Sequence, residues 1–151
     1  MRPHPDFAEV DWPRQFALDD HILTPLTPEF VDEDFEAVLS TAPLLEGVFG
    51  AWPAGLTRAD NLIDLAWHER EFTARRSFSW IVRDRAETYC GCFYVFPEIG
   101  TRGKASAVLW LCDLPDRLEL AQVLKSALSA WLSENLPTGI DIDWTTRPVL
   151  D

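Results

Sequence analysis

The side chains able to do chemistry in this chain fall into four groups. His68 and Glu71 lie three residues apart in His68-Glu69-Arg70-Glu71, and Asp113 follows the apolar run Trp110-Leu111-Cys112. An imidazole or carboxylate in a cleft is the group that takes a proton from a nucleophile, so these three are the candidate general bases. The His68 run lacks the second histidine of a zinc-protease helix. Asp113, Asp116 and Glu119 form the second group, where a strand runs straight into a helix. Free backbone N–H groups and the helix dipole favour an anion at such a junction, and glycine lets it approach. Here acids hold the junction, and no glycine occurs between Gly103 and Gly139. Cys90, Cys92 and Cys112 sit in apolar strands, with Cys90 and Cys92 on one face. Three thiols fall short of a four-ligand zinc site, so they read as buried core thiols with no metal. Lastly, Trp52, Trp67, Tyr94 and Trp110 are the candidate lining of a ligand pocket, with Trp80 beside them in the sheet.

The rest of the composition narrows the partners. A length of 151 residues suits one domain with its own core. The net charge of −12 repels nucleic acid and anionic membrane, and it attracts cationic ligands. Residues 1–56 carry eleven acids against two arginines, whereas residues 57–104 are nearly neutral. With no apolar leader or span and no disulfide framework, the expectation is a cytoplasmic protein with reduced thiols.

The elements that must position these groups can be read from periodicity. Residues 1–20 read as an extended N-terminal arm pinned by Phe7, Trp12 and Phe16, and residues 21–151 as a single domain. After a strand at His21 to Leu26, a helix carries Phe30, Phe35, Val38 and Leu39 above an acidic face of Asp32, Glu33, Asp34 and Glu36. Pro43 is expected to break it, with a second short helical piece reaching Phe49. Thr57 and Asp60 form a capping box for a helix from Arg58 to Arg75, with Leu62, Leu65, Ala66, Glu69 and Phe72 along one side. Strands at 78–83, 89–96 and 105–112 follow, joined by short polar hairpins. A helix over 116–133 and a strand over 140–146 complete the order. The fold class is α/β: a mixed, mostly antiparallel sheet with helices on both faces.

This order, and the local wording, resemble a divergent branch of the GNAT superfamily of N-acetyltransferases. The resemblance rests on Trp52-Pro53, Leu56-Thr57 with Asn61-Leu62, His68-Glu69 with Phe72, and Phe78 with Trp80. Gly91-Cys92 with Tyr94 and Pro97, and Val108-Leu109-Trp110, complete it. The resemblance implies an acetyl-CoA cleft where the strands around Trp110 and Ile142 splay apart. It places Trp110, Leu111, Cys112 and Arg117 against the cofactor, if acetyl-CoA binds. It also implies a diphosphate loop of the form Gln/Arg-x-x-Gly-x-Gly/Ala, from which this sequence departs, and a helix and hairpin after the final strand. The chain stops at Asp151, so the expected form is a C-terminally truncated one.

The leading reading is a degenerate acetyltransferase-like protein that binds a small molecule or a protein partner through that cleft. The alternative is an active acetyl-CoA-dependent enzyme with non-standard cofactor contacts; a third is a purely structural subunit. A last strand with Ile142 and Trp144 needing cover predicts a homodimer. Light scattering at micromolar concentration checks this: twice the chain mass is the expected result, and a monomer mass contradicts it.

Overall fold

A computed structural model describes residues 1–145. Its strands are β1 (Phe16–Leu18), β2 (His21–Pro25), β3 (Phe78–Asp84), β4 (Tyr89–Pro97), β5 (Lys104–Leu111) and β6 (Asp141–Thr145). Its helices are α1 (Val31–Leu45), α2 (Arg58–Thr73) and α3 (Arg117–Asn135). The six strands lie in chain order in one sheet. Neighbours are antiparallel through β5, and β5 pairs with β6 in parallel. A parallel step needs a long crossover, and α3 supplies it.

Strand alternation sorts the two faces. Cys92 opposes Trp110 across the β4–β5 ladder, while Phe93 opposes Trp80 across β3–β4. On the first face α1 meets Tyr89 and α2 meets Tyr94. On the second, Trp131 of α3 lies 5.9 Å from Trp80 and stacks on Phe16 at 4.5 Å. Helices therefore cover both faces, and β4 is buried along most of its length. Among the described residues no helix is long and apolar enough to cross a membrane.

The arm belongs to this core. Phe7 and Trp12 are buried, and Trp12 donates its indole N–H to Asn135 O at 3.1 Å. Trp80 donates to Pro13 O at 3.0 Å. The expectation of an arm reaching Asp20 is amended, because Phe16–Leu18 is already a strand paired with β2. Three residues are too few to show a period.

Two helical expectations also change. Pro43 lies inside α1 rather than ending it, and no second helical piece reaches Phe49; short bridges join Gly47 to Gly50 and Phe49 to Trp52. Proline removes one donor and so strands one carbonyl, that of Leu39, a residue on the exposed side of the helix. The second change is phase. In α1 the buried positions are Val31, Asp34, Val38, Thr41 and Leu45, and Leu39 is exposed. In α2 they are Asn61, Leu65, His68, Glu71 and Phe72, while Leu62 is 37% exposed and Ala66 and Glu69 face out. Both helices turn polar residues inward.

Elsewhere local chemistry agrees with the elements. Thr57 Oγ1 accepts from Asp60 N at 3.1 Å and Asp60 Oδ2 from Thr57 N at 3.3 Å, closing the capping box. Arg83, nearly buried, donates both terminal nitrogens to Glu33 at 2.5 and 2.9 Å and Nε to Thr24 at 3.1 Å. This forked pair locks the start of α1 onto β2 and β3.

Among the described glycines the least room for a side chain is at Gly91, whose φ is +155°. A Cβ there would stand 2.0 Å from the Trp110 carbonyl oxygen. The clash is with backbone on a central ladder, which has no flexible end to move aside. Gly91→Ala is expected to cost about 3 kcal/mol of folding free energy, read by urea unfolding. Wild-type stability in that variant would show that β4 and β5 do not approach this closely.

Candidate functional site

Three of the inward-facing polar residues of α1 and α2, Asp34, Asn61 and His68, meet the sheet in one seam. Asp34 accepts a very short hydrogen bond from Tyr89 Oη and another from Asn61 Nδ2 at 2.8 Å. Tyr89 Oη lies 2.9 Å from Cys92 Sγ. Two residues along β4, Tyr94 Oη accepts from the buried Trp110 indole at 3.0 Å. The His68 ring lies against Tyr94, with centroids 5.4 Å apart.

Burial sets the protonation of this seam. Loss of water pushes the Asp34 carboxyl above its ordinary range, against the opposing pull of the Tyr89 and Asn61 hydrogen bonds. Burial likewise pushes the Tyr89 and Tyr94 phenols and the Cys92 thiol well up. Cys90 is pushed up to about 11, again by burial. These thiols are protonated, and a protonated thiol is a poor nucleophile and metal ligand. Among the described residues no group of three His, Cys, Asp or Glu side chains could hold a metal. Asn61 Oδ1 and His68 Nδ1 are buried without a hydrogen-bond partner among the described residues. A half-turn of the Asn61 amide would offer Oδ1 to a protonated Asp34, satisfying that acceptor.

A cavity of about 170 Å³ opens beside the seam, lined by Phe49, Trp52, Asp64, His68, Tyr94 and Phe96. The loop between α1 and α2 brings Trp52 there, with Phe49 edge-on at 5.5 Å. The Asp64 carboxylate stands 3.6 Å from His68 Nε2, one turn away on α2. Four aromatic rings and a half-exposed carboxylate in the lining suit a positive charge.

The residues singled out from the sequence are divided among different places. Trp52, His68 and Tyr94 are brought together at this cavity. Trp110 is fully buried behind it, 6.5 Å from Trp52. Trp67 and Glu71 line a second pocket. Glu71 is tied to Arg76 at 2.9 Å and to Arg70 at 3.2 Å. Asp113 is exposed at the end of β5, away from the cavity lining. Leu111 is buried, Cys112 is half-buried, and Arg117 Nε donates to Leu111 O at 3.3 Å. Asp34 and Asn61 were missed. The available signal was phase: each stands three or four residues from apolar positions of its own helix.

The start of α3 tests the fit of an acetyl-CoA diphosphate. Asp113, Asp116 and Glu119 are all exposed there, and Asp116 makes no side-chain cap hydrogen bond. Three exposed carboxylates at this helix start oppose a second anion, and the Arg117 backbone N–H is already given to Leu114 O at 3.1 Å, so this junction does not fit a diphosphate.

No protein-family model matches the sequence, and no curated protein matches it either. Solved structures do match. A protein assigned as a ribosomal-protein-serine acetyltransferase from Vibrio cholerae is 16% identical, with a TM-score of 0.65 over 89% of this chain and 70% of that one. The microcin C7 self-immunity acetyltransferase MccE, in complex with acetyl-CoA and AMP, is 12% identical, with a TM-score of 0.67 over 87% and 73%. RimL, a ribosomal L7/L12 alpha-N-protein acetyltransferase in complex with coenzyme A, is 13% identical, with a TM-score of 0.65 over 83% and 70%. The chain has the fold of the GNAT acetyltransferases.

The seam generates a pH prediction. A carboxyl whose folded pKa is raised binds its proton more tightly in the folded than in the unfolded chain. Its contribution to stability therefore falls as pH rises from the ordinary value of 3.8 through the raised one. Asp34→Asn keeps the shape and removes the titration. Urea unfolding at a series of pH values should show the wild type losing stability relative to Asp34→Asn across that window. Parallel curves would place an ordinary carboxylate at Asp34.

Proposed function

We propose that this chain binds a small organic cation in the cleft between α2 and the sheet, as a degenerate relative of the acetyltransferases. The observation that carries the reading is the cavity of Phe49, Trp52, Tyr94 and Phe96 with Asp64 at its side. Aromatic faces attract a cation through their quadrupoles, and a nearby carboxylate adds charge without needing a fixed donor geometry. The acidic balance of the chain as a whole favours the same sign of ligand. The acids at the start of α3 support the other half of the proposal, that acetyl-CoA is not held there in the usual way.

The likeness to structures bound to acetyl-CoA and coenzyme A favours a second reading, an active N-acetyltransferase with non-standard contacts. In it His68, beside the cavity, would take the proton from the acceptor amine, while Trp110 and Leu111 would offer only backbone, since their side chains are buried.

Calorimetric titration separates the two. Benzyltrimethylammonium is expected to bind, and Trp52→Ala to weaken it about tenfold, the share of a desolvated cation–aromatic contact. Acetyl-CoA is expected to give no binding heat and no rise in unfolding temperature. Stabilisation by acetyl-CoA together with acetyl transfer to an amine would establish the second reading instead.

A further inference from the structure

We propose that a second pocket, beneath the N-terminal arm, binds an organic carboxylate with a flat apolar body. The pocket has a volume of about 610 Å³ and lies between the arm at Arg2 to Pro5, the end of α2, and the β4–β5 hairpin. That volume is in the range of small-molecule sites. It adjoins the first cavity across Phe96, which lines both.

The walls offer an apolar platform. Trp67, Phe96, Pro97 and Ile99 line the space, with Ile99 95% and Trp67 38% exposed. The charge at this pocket is opposite to that of the molecule. Arg2 and Arg76 line it, and its one lining carboxylate is Glu71. Glu71 is buried and already neutralised by Arg70 and Arg76. In a chain of net charge −12, a concave surface with surplus guanidinium is selective for an anion.

The geometry of Arg76 sharpens the choice of anion. It gives Nε to Glu71 Oε2 at 2.9 Å, and among the described residues its two terminal nitrogens make no hydrogen bond. A buried carboxylate thus holds the stem of the guanidinium, leaving the forked end that pairs with a planar carboxylate. Glu71 is a positioning residue in this arrangement, and a general base only if both arginines leave it.

The pocket also has a fixed roof. Asp6 accepts from Arg102 Nε at 2.6 Å and from Gly103 N at 2.8 Å, and His4 N donates to Arg75 O at 3.1 Å. Arg75 Nη1 in turn reaches Ala8 O at 2.6 Å, and Phe7 is completely buried. The arm is therefore tied to the hairpin and to the end of α2 around the opening, so the site is built before a ligand arrives.

Calorimetry on the full chain tests this with 3-phenylpropionate and its neutral isostere 3-phenylpropanamide. The carboxylate is expected to bind about tenfold more tightly than the amide, the difference a charge-assisted pair contributes. Arg76→Lys keeps the charge and the Glu71 contact but removes the fork, and should weaken the carboxylate about tenfold. Arg2→Ala, at an exposed position, should weaken it about threefold with the unfolding temperature unchanged. Equal affinity for acid and amide, no binding at about 10 mM, or full affinity in Arg76→Lys would overturn the proposal. Should Arg76→Lys fail to fold, the acid–amide comparison on the unaltered chain still decides it, and unchanged carboxylate affinity in Arg2→Ala would overturn it as well.

Discussion

A carboxyl group buried between two helices and a sheet is the constraint on which this structure turns. Asp34 has no access to bulk water worth the name, so its two oxygens must find partners in the fold. They find Asn61 on α2 and Tyr89 on β4, which ties three elements at one point. Tyr89 then fixes the neighbourhood of Cys92, and the same face of β4 presents Tyr94 to His68. The position of the cavity walls follows from this seam. A hydrophobic substitute at Asp34 would bury the same surface but would leave Asn61 and Tyr89 without their acceptor.

The second organising contact is covalently simple. Gly91 lets β4 press against the backbone of Trp110, and the cross-strand alignment of Cys92 with Trp110 depends on it. The Trp110 indole can then reach Tyr94 Oη, which closes the floor behind the cavity. Sheet geometry and side-chain polarity thus act on the same few residues.

Much of this was legible in the sequence because it rests on local rules. The Thr57–Asp60 capping box, the two polar hairpins and the crossover helix appear where periodicity and turn chemistry put them. The helix faces were misread for one reason. Apolar spacing favoured Leu62, Ala66 and Leu39, whereas the fold buries Asn61, His68 and Asp34. A pattern search that equates inside with apolar cannot find an inward polar seam, since its stability comes from partners far away along the chain. Pro43 misled similarly: near the end of a helix it removes one hydrogen bond, at the exposed residue Leu39. The candidate site was half legible. Trp52, His68 and Tyr94 converge, but Glu71 is claimed by two arginines and Asp113 lies outside in solvent.

The most direct measurement is a carbon-13 titration of the Asp34 side-chain carboxyl in the folded protein, assigned with Asp34→Asn. If the seam organises the fold as described, the midpoint lies above the ordinary aspartate value of 3.8, and the Tyr89 and Tyr94 ring resonances move with it. A midpoint at that ordinary value, with the rings unmoved, would mean that Asp34 is solvated and that the seam does not exist.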